Sequence, residues 1–192
     1  MAIKGLDMLH YAIIESEDST STTYGEVKEF GPAMALNLQP TINRGNLRAD
    51  DKVLFSDSSK GPITVEVNTA YLEKTVEADV LGKEADANGG ISDAASDNPP
   101  YIAIGGRAKS ARGGYEYFWV YRVKLAPAEE NKQTEQDTPT YQTPNLSGEG
   151  LPRLDDGLEK YKLWDQDPDV SDTSIIDEWF TEVIDKNWAP TV

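Results

Sequence analysis

The chain contains no cysteine and a single histidine. The first absence excludes a disulfide framework, a thiolate metal site and a cysteine nucleophile, and leaves the redox compartment open. The second leaves carboxylates and one imidazole as the available metal chemistry. No apolar run approaches the roughly 20 residues that a membrane helix needs, and residues 1–7 lack an apolar signal core, so the protein is expected to be made and kept in solution. Positive charge is scarce as well, with 18 Lys and Arg against 34 Asp and Glu, a net of −16. Proteins that grip nucleic acid cluster Lys and Arg to release counterions from phosphate, so an acidic wall repels DNA instead of holding it. From residue 127 onward there are 16 acids and 5 bases, a net of −11, which leaves 18 against 13, or −5, for the rest. The acidity is concentrated toward the C-terminus, as a solubilising charge or as a specific electrostatic surface.

What remains is sufficient for one domain with a core. Of its 192 residues, 38% are hydrophobic and 27% charged, ordinary globular usage and far from the signature of disorder. Residues 6–14 are apolar on both faces and predict a short buried strand. In residues 33–39, Met34, Leu36 and Leu38 alternate with polar or small neighbours, a half-buried strand ended by Pro40. Residues 41–62 form a long polar stretch carrying both signs of charge, with a short apolar patch at Val53 to Phe55 inside it, read as an extended arm or hairpin, because ordinary connections run to about 4–6 residues. Ile63, Val65 and Val67 point inward and Thr64, Glu66 and Asn68 outward, the cleanest alternation in the chain.

Leu72, Val76 and Val80 then follow a helical period, with Thr69 as a candidate cap and Gly82 as a C-cap. Residues 83–100 read as a surface loop. YIAIGG and YEYFWVYRVKLA flank a turn-rich segment and predict a hairpin. Alternation in its second strand puts Tyr115, Tyr117, Trp119, Tyr121 and Val123 on one face and Glu116, Phe118, Val120, Arg122 and Lys124 on the other. Neither face is simply polar, which implies burial on both sides or a subunit interface. Residues 138–149 predict a further strand, and Asp156-Gly157 between Leu154 and Leu158 a hairpin turn with a strand on each side. Ile176, Trp179, Phe180 and Val183 predict a terminal amphipathic helix over residues 174–183, with Ser174 and Asp177 resembling a capping box.

No catalytic or cofactor motif emerges. His10 lies inside an apolar strand without a matched Ser or Asp spacing and reads as structural. Asp165, Asp167 and Asp169 imitate the first ligands of a calcium loop, the best metal candidate in the chain. The imitation stops there: Pro168 interrupts it, Val170 stands where the turn needs glycine, and Ile176 stands where the final acid belongs. Arg107, Lys109 and Arg112 sit on a glycine-rich turn that lacks the strand, loop and helix order of a phosphate cradle. They form an exposed hairpin tip, or a basic prong that docks on an acidic neighbouring subunit.

Four blocks, GLDMLHYAIIESED, ADDKVLFSDSSKGPITVEVNTAYLEKTVEADVLG, YIAIGGRAKSARGGYEYFWVYRVKLA and DTPTYQTPNLSGEG, resemble in order and spacing the major tail (tail tube) proteins of siphophages infecting Gram-positive hosts. The resemblance covers residues 5–150, and residues 151–192 match only loosely. It implies a mainly β fold, a sandwich or barrel of two packed antiparallel sheets with a flanking α-helix. It also implies a non-enzymatic virion protein that forms stacked hexameric rings. Those rings would make a hollow tube, assembled in the bacterial cytoplasm, through which DNA passes without specific binding. The implied partners are other copies of the chain and the tape-measure, tail-tip and tail-terminator proteins, with no cofactor.

Within that expectation residues 1–150 form the domain with its arm at 41–62, and residues 151–192 are an extension packed on the same domain or on a neighbour. Arg44, Arg48, Asp50 and Asp51 are the named candidates for ring stacking. Glu66, Asp50 and Asp51 are candidates for carboxylates facing the lumen, and Glu66 facing solvent outside is the alternative. A different class stays open, a monomeric β-sandwich that binds carbohydrate through exposed Tyr115, Tyr117 and Trp119. An acidic hydrolase is supported only by the abundance of carboxylates.

Overall fold

The computed structural model describes residues 2–49, 51–127, 134, 142–170 and 173–190. In chain order the strands are β1 (Ile3–Glu17), β2 (Thr22–Tyr24), β3 (Lys28–Glu29), β4 (Ala33–Ala49) and β5 (Lys52–Thr69). Helix α1 (Lys74–Leu81) follows, then β6 (Glu84–Ala85), β7 (Ile91–Ser92), β8 (Ile102–Ser110), β9 (Tyr115–Ala126), β10 (Asn145–Gly150), β11 (Lys160–Trp164) and the short helix α2 (Ser174–Asp177). Nine strands make one antiparallel sheet in the order β2-β1-β8-β9-β10-β5-β4, with β3 added to β1 and β11 to β9; β6 and β7 form a small separate hairpin. The protein is mainly β, antiparallel, with two short helices, as the sequence predicts.

The sheet curls so that β1 and β4 come into contact. One core fills the concave side: Leu9 and Tyr11 from β1, Ile63, Val65 and Val67 from β5, Ile102 and Ile104 from β8, Val123 and Leu125 from β9, closed by Val76, Val80 and Leu81 of α1. The expected alternation of β5 is realised, with Thr64 and Glu66 exposed between the three buried aliphatics. Helix α1 ends at Gly82 in the left-handed conformation, φ 65°, where a Cβ would lie 2.4 Å from the Asn98 carbonyl oxygen, so only glycine fits. Its N-cap is Glu73, not Thr69, and has no side-chain cap bond; Thr69 is the last residue of β5 and is buried. The buried Tyr11 hydroxyl donates to Asp79 at 2.7 Å, tying helix to sheet, and burial followed by this hydrogen bond raises its pKa.

A second core lies on the convex side, where the C-terminal segment crosses β8 and β9. Trp179 and Ile184 are buried there with Ala103, Tyr117, Trp119 and Tyr121. Strand β9 is therefore covered on both faces, one of the two outcomes its aromatic pattern allowed. Residues from both 151–170 and 173–190, among them Leu158, Tyr161, Ile175 and Phe180, pack in this way on their own chain.

Four further expectations need correction. Val123 does not share a face with Trp119: β9 carries one extra residue between Val120 and Val123 opposite Ile104 and Ile102, and this bulge turns Val123 into the concave core. Likewise Met34 does not join Leu36 and Leu38 but bulges out, 57% exposed, where the register of β4 shifts between Ala33 and Ala35. Finally, the terminal helix is only one turn, Ser174–Asp177, with N-cap Thr173 and no side-chain cap. Isoleucines and aromatics have modest helix propensity and so short a segment cannot sustain itself, so burial of Trp179 and Ile184 governs its path. The turn at Asp156-Gly157 is present, with Gly157 at φ 71°. It leads into one strand, β11, which pairs with β9; residues 151–154 are not a strand. Of the strand expected over residues 138–149, 138–141 lie outside the described residues, 142–144 are not strand, and 145–149 enter β10.

Candidate functional site

The most distinctive feature is the far half of the β4–β5 hairpin. Beyond Pro40 and Ile63 the two strands pair only with each other, from Ile42 opposite Lys60 to Ala49 opposite Lys52. Eight residues on one strand make an arm roughly 26 Å long at the usual rise of a β-strand. The arm occupies the 41–62 stretch singled out by its length. A two-stranded ribbon is marginally stable alone, and this one has no third strand along either edge among the described residues.

The register sorts its side chains. Leu47 lies directly opposite Phe55 on one face, and beyond them Lys52, opposite Ala49, shares that face. The other face carries Ile42, Arg44 and Arg48, with Lys60 at its root held by Glu159 at 2.8 Å. A one-residue bulge in β5 between Phe55 and Val53 leaves Leu54 as the extra residue. Phe55 is 70% exposed and Leu47 60%, with Val53 and Leu54 also exposed. Four exposed apolar side chains at the tip, spread over both faces of the ribbon, make it a candidate interaction surface. Asp51 occupies the turn with φ 60°; Asp50 lies outside the described residues.

Glu66 stands on the uncovered convex side of β5, exposed, and accepts a hydrogen bond from Asn37 Nδ2 at 3.2 Å. Its cross-strand neighbours are Asn37 on β4 and Ser147 on β10. Thr64 and Glu149 are paired beside it, so β4, β5 and β10 present a polar sheet face. That face contrasts with the aromatic half of β9, which the C-terminal segment covers.

The basic turn between β8 and β9 is partly committed within its own chain. Arg107 makes a two-pronged contact with Asp7, 2.7 Å at Nε, and its guanidinium lies 4.3 Å from the centre of the Tyr115 ring. Arg112 lies over Trp164, and Lys109 is exposed.

Asp165, Asp167 and Asp169 do not converge. The Asp165 carboxylate accepts from the Tyr115 backbone N–H at 2.8 Å, and Asp167 accepts from the Asp169 N–H at 3.1 Å. No group of three or more His, Asp or Glu that could hold a metal ion occurs among the described residues. His10 stacks on Phe180, ring centres 4.5 Å apart, and its Nδ1 lies 2.8 Å from the Met8 carbonyl oxygen, a tether for the C-terminal segment.

Sequence reasoning missed two things. The first is Leu47: the apolar patch at residues 53–55 is visible in the sequence, but its pairing with Leu47 becomes apparent only with the register. The second is Arg153, whose buried guanidinium bridges Asp156 at 2.6 Å and Asp185 at 2.9 Å and covers the Tyr121 ring. With the hydroxyl of Tyr121 donating to the Ile184 carbonyl at 3.0 Å and the indole of Trp119 donating to the Trp179 carbonyl at 3.2 Å, it clamps the C-terminal segment onto β9.

Compared with known proteins, the chain matches no family model and no curated protein.

Proposed function

We propose that this chain is a self-assembling structural protein, a tail tube subunit of a long-tailed phage, whose copies associate into stacked rings around a DNA-conducting lumen. The observation that carries the reading is the arm: two strands extended well past the sheet, ending in exposed Leu47, Val53, Leu54 and Phe55. Burial contributes about 25 cal/mol per Å² of apolar surface, so such a tip gains from contact with another molecule what its own chain does not supply.

The acidity acquires a purpose in this reading. Glu66 on the polar face of β4, β5 and β10 is the candidate lumen carboxylate, and a wall of that sign lets DNA pass without adhering. Arg44, Arg48 and Asp51 of the arm serve ring-to-ring contact. Lys109 and Arg112 remain at the β8–β9 turn for contact with an acidic neighbour, while Arg107 is drawn back by Asp7. Tape-measure, tail-tip and terminator proteins would start and stop the tube.

Tyr117 and Trp119 are buried beneath the C-terminal segment and Tyr115 is half-buried beside them, which supports the assembly reading over a carbohydrate site built on exposed aromatics. The experiment is light scattering of the purified chain over a range of concentrations beside a variant shortened from residues 42–60 to a tight turn. The full chain is expected to form large particles and the shortened chain to remain monomeric; particles of equal size from both would remove the arm from the account.

A further inference from the structure

We propose that the arm of one copy docks on a second copy in the groove beside the free edge of β11, entering by strand pairing. The inference rests on the assembly reading above and names the receptor of the arm. Strand β11 pairs with β9 along one edge, and no strand occupies its other edge among the described residues. An unpaired edge presents a row of backbone N–H and C=O groups, the template to which a further strand adds.

An open groove of about 420 Å³ runs along this part of the molecule. Trp164, Val170, Ile175 and Trp188 supply its apolar lining; Asp167, Asp169 and Lys162 are its charged groups, and Lys162 is paired with Glu116 at 2.6 Å. It is lined partly by β11 itself, so a strand added to that edge would place alternate side chains in the groove.

The arm offers the complement of each feature. Among the described residues, the outer edges of its strands are open. Leu47 and Phe55 stand together on one face with Lys52 beside them, and Arg48 lies one position away on the other face. Both apolar residues are exposed in their own chain, so their cover comes from outside it.

Charge points to a second copy as the occupant. Residues 41–62 hold four bases and three acids in a chain of net −16, whereas residues 151–192 hold 11 acids and four bases. The arm, net +1, and the strongly acidic C-terminal part lie on different elements, which favours a head-to-tail contact between copies. A heterologous contact of this kind repeats without using up its surfaces and so propagates a stack. Opposite charges at the rim set register and encounter rate, and the aromatic groove supplies the anchor.

The absence of native cysteine makes the contact directly measurable. Leu54→Cys combined with Val170→Cys places thiols at the arm tip and in the groove, and Leu54→Cys combined with Glu66→Cys is the comparison, its second thiol on the polar sheet face. All three positions are at least partly exposed, so folding is preserved. Under mild oxidation the first pair is expected to shift the chain from single copies to a ladder of disulfide-linked copies, with the second pair giving no ladder. Adding Asp167→Lys and Asp169→Lys to the first pair is expected to abolish the ladder.

Particles that form by light scattering while the two pairs cross-link equally, or not at all, would overturn this receptor and leave assembly standing. A ladder unaffected by the charge reversal would overturn the electrostatic part. A chain that stays monomeric at every concentration, or cross-links only when a different protein is added, would overturn the second copy as the occupant; the monomeric result would also remove the assembly reading.

Discussion

The indole of Trp119 lies across Gly105, its partner on the neighbouring strand: a Cβ at Gly105 would stand 2.5 Å from Trp119 Cδ2. The glycine serves here by its missing side chain. It lets the largest residue of the convex core lie flat on the sheet, where Trp179 and Tyr117 then pack. Gly105→Ala is expected to destabilise the fold by about 1–3 kcal/mol through overpacking, and Trp119→Ala by about 3–5 kcal/mol through the cavity left behind. Because the two residues touch, the double variant should be less destabilised than the sum. Urea unfolding followed by circular dichroism measures all three, and strict additivity would contradict the contact.

The clamp at Arg153 leads to a second expectation. Its side chain is 6% exposed and paired with three carboxylates, Asp156 and Asp155 in the adjacent turn and Asp185 in the C-terminal segment. Arg153→Met leaves these acids without their cation, and breaking a buried pair in this way costs about 3–5 kcal/mol. The loss should be local first. Hydrogen exchange is expected to accelerate across residues 174–188 while residues 63–67 stay protected; uniform acceleration would show that the segment is not a separable unit.

Trp179 invites a finer substitution. Its ring is fully buried, yet its Nε1 has no hydrogen-bond partner. Trp179→Phe removes that unsatisfied donor together with some packing, so it should cost clearly less than Trp179→Ala, which empties the site by about 3–5 kcal/mol. Equal costs for the two, read from chemical denaturation, would mean that the indole nitrogen finds a partner in solution.

Acid should act on the same clamp. The hydrogen bond from Arg153 holds the Asp156 carboxyl below its usual value of 3.8, with partial burial opposing. A carboxyl depressed on folding contributes stability above its unfolded pKa and loses it as pH falls through the folded value. The contribution is therefore full at neutral pH and disappears below about pH 4. Asp156→Asn is expected to flatten the fall in stability over that acid window; an unchanged slope would assign the fall to other groups.

Much of the fold is legible in the sequence where one physical rule acts alone. Ile63, Val65 and Val67 alternate because one face of β5 is buried, and Gly82 ends α1 because the chain turns there in the left-handed region. The arm at residues 41–62 is visible as a segment too long for an ordinary connection. Reading fails where one residue is inserted against a partner strand. The bulges that expel Met34 and turn Val123 inward are fixed by pairing with β5 and β8, and alternation within a single strand contains no trace of its partner. The Arg153 clamp is silent for the same reason: Asp185 lies 32 residues away, and folding alone brings it close. The one-turn α2 shows packing overriding a helical pattern, with Trp179 and Ile184 anchored by β9 instead of by their own helix.

The central claim, that this chain assembles into a tube through its arm, is tested most directly by negative-stain electron microscopy of the purified protein and of a variant carrying Leu47→Asp and Phe55→Lys, an opposite-charge pair across the two strands. Both positions are exposed, so substitution should change monomer stability by no more than about 0.5 kcal/mol. Hollow particles of uniform diameter from the unmodified chain, with dispersed monomers from the variant, are the predicted result. Monomers from both, or tubes of the same length and abundance from both, would contradict it.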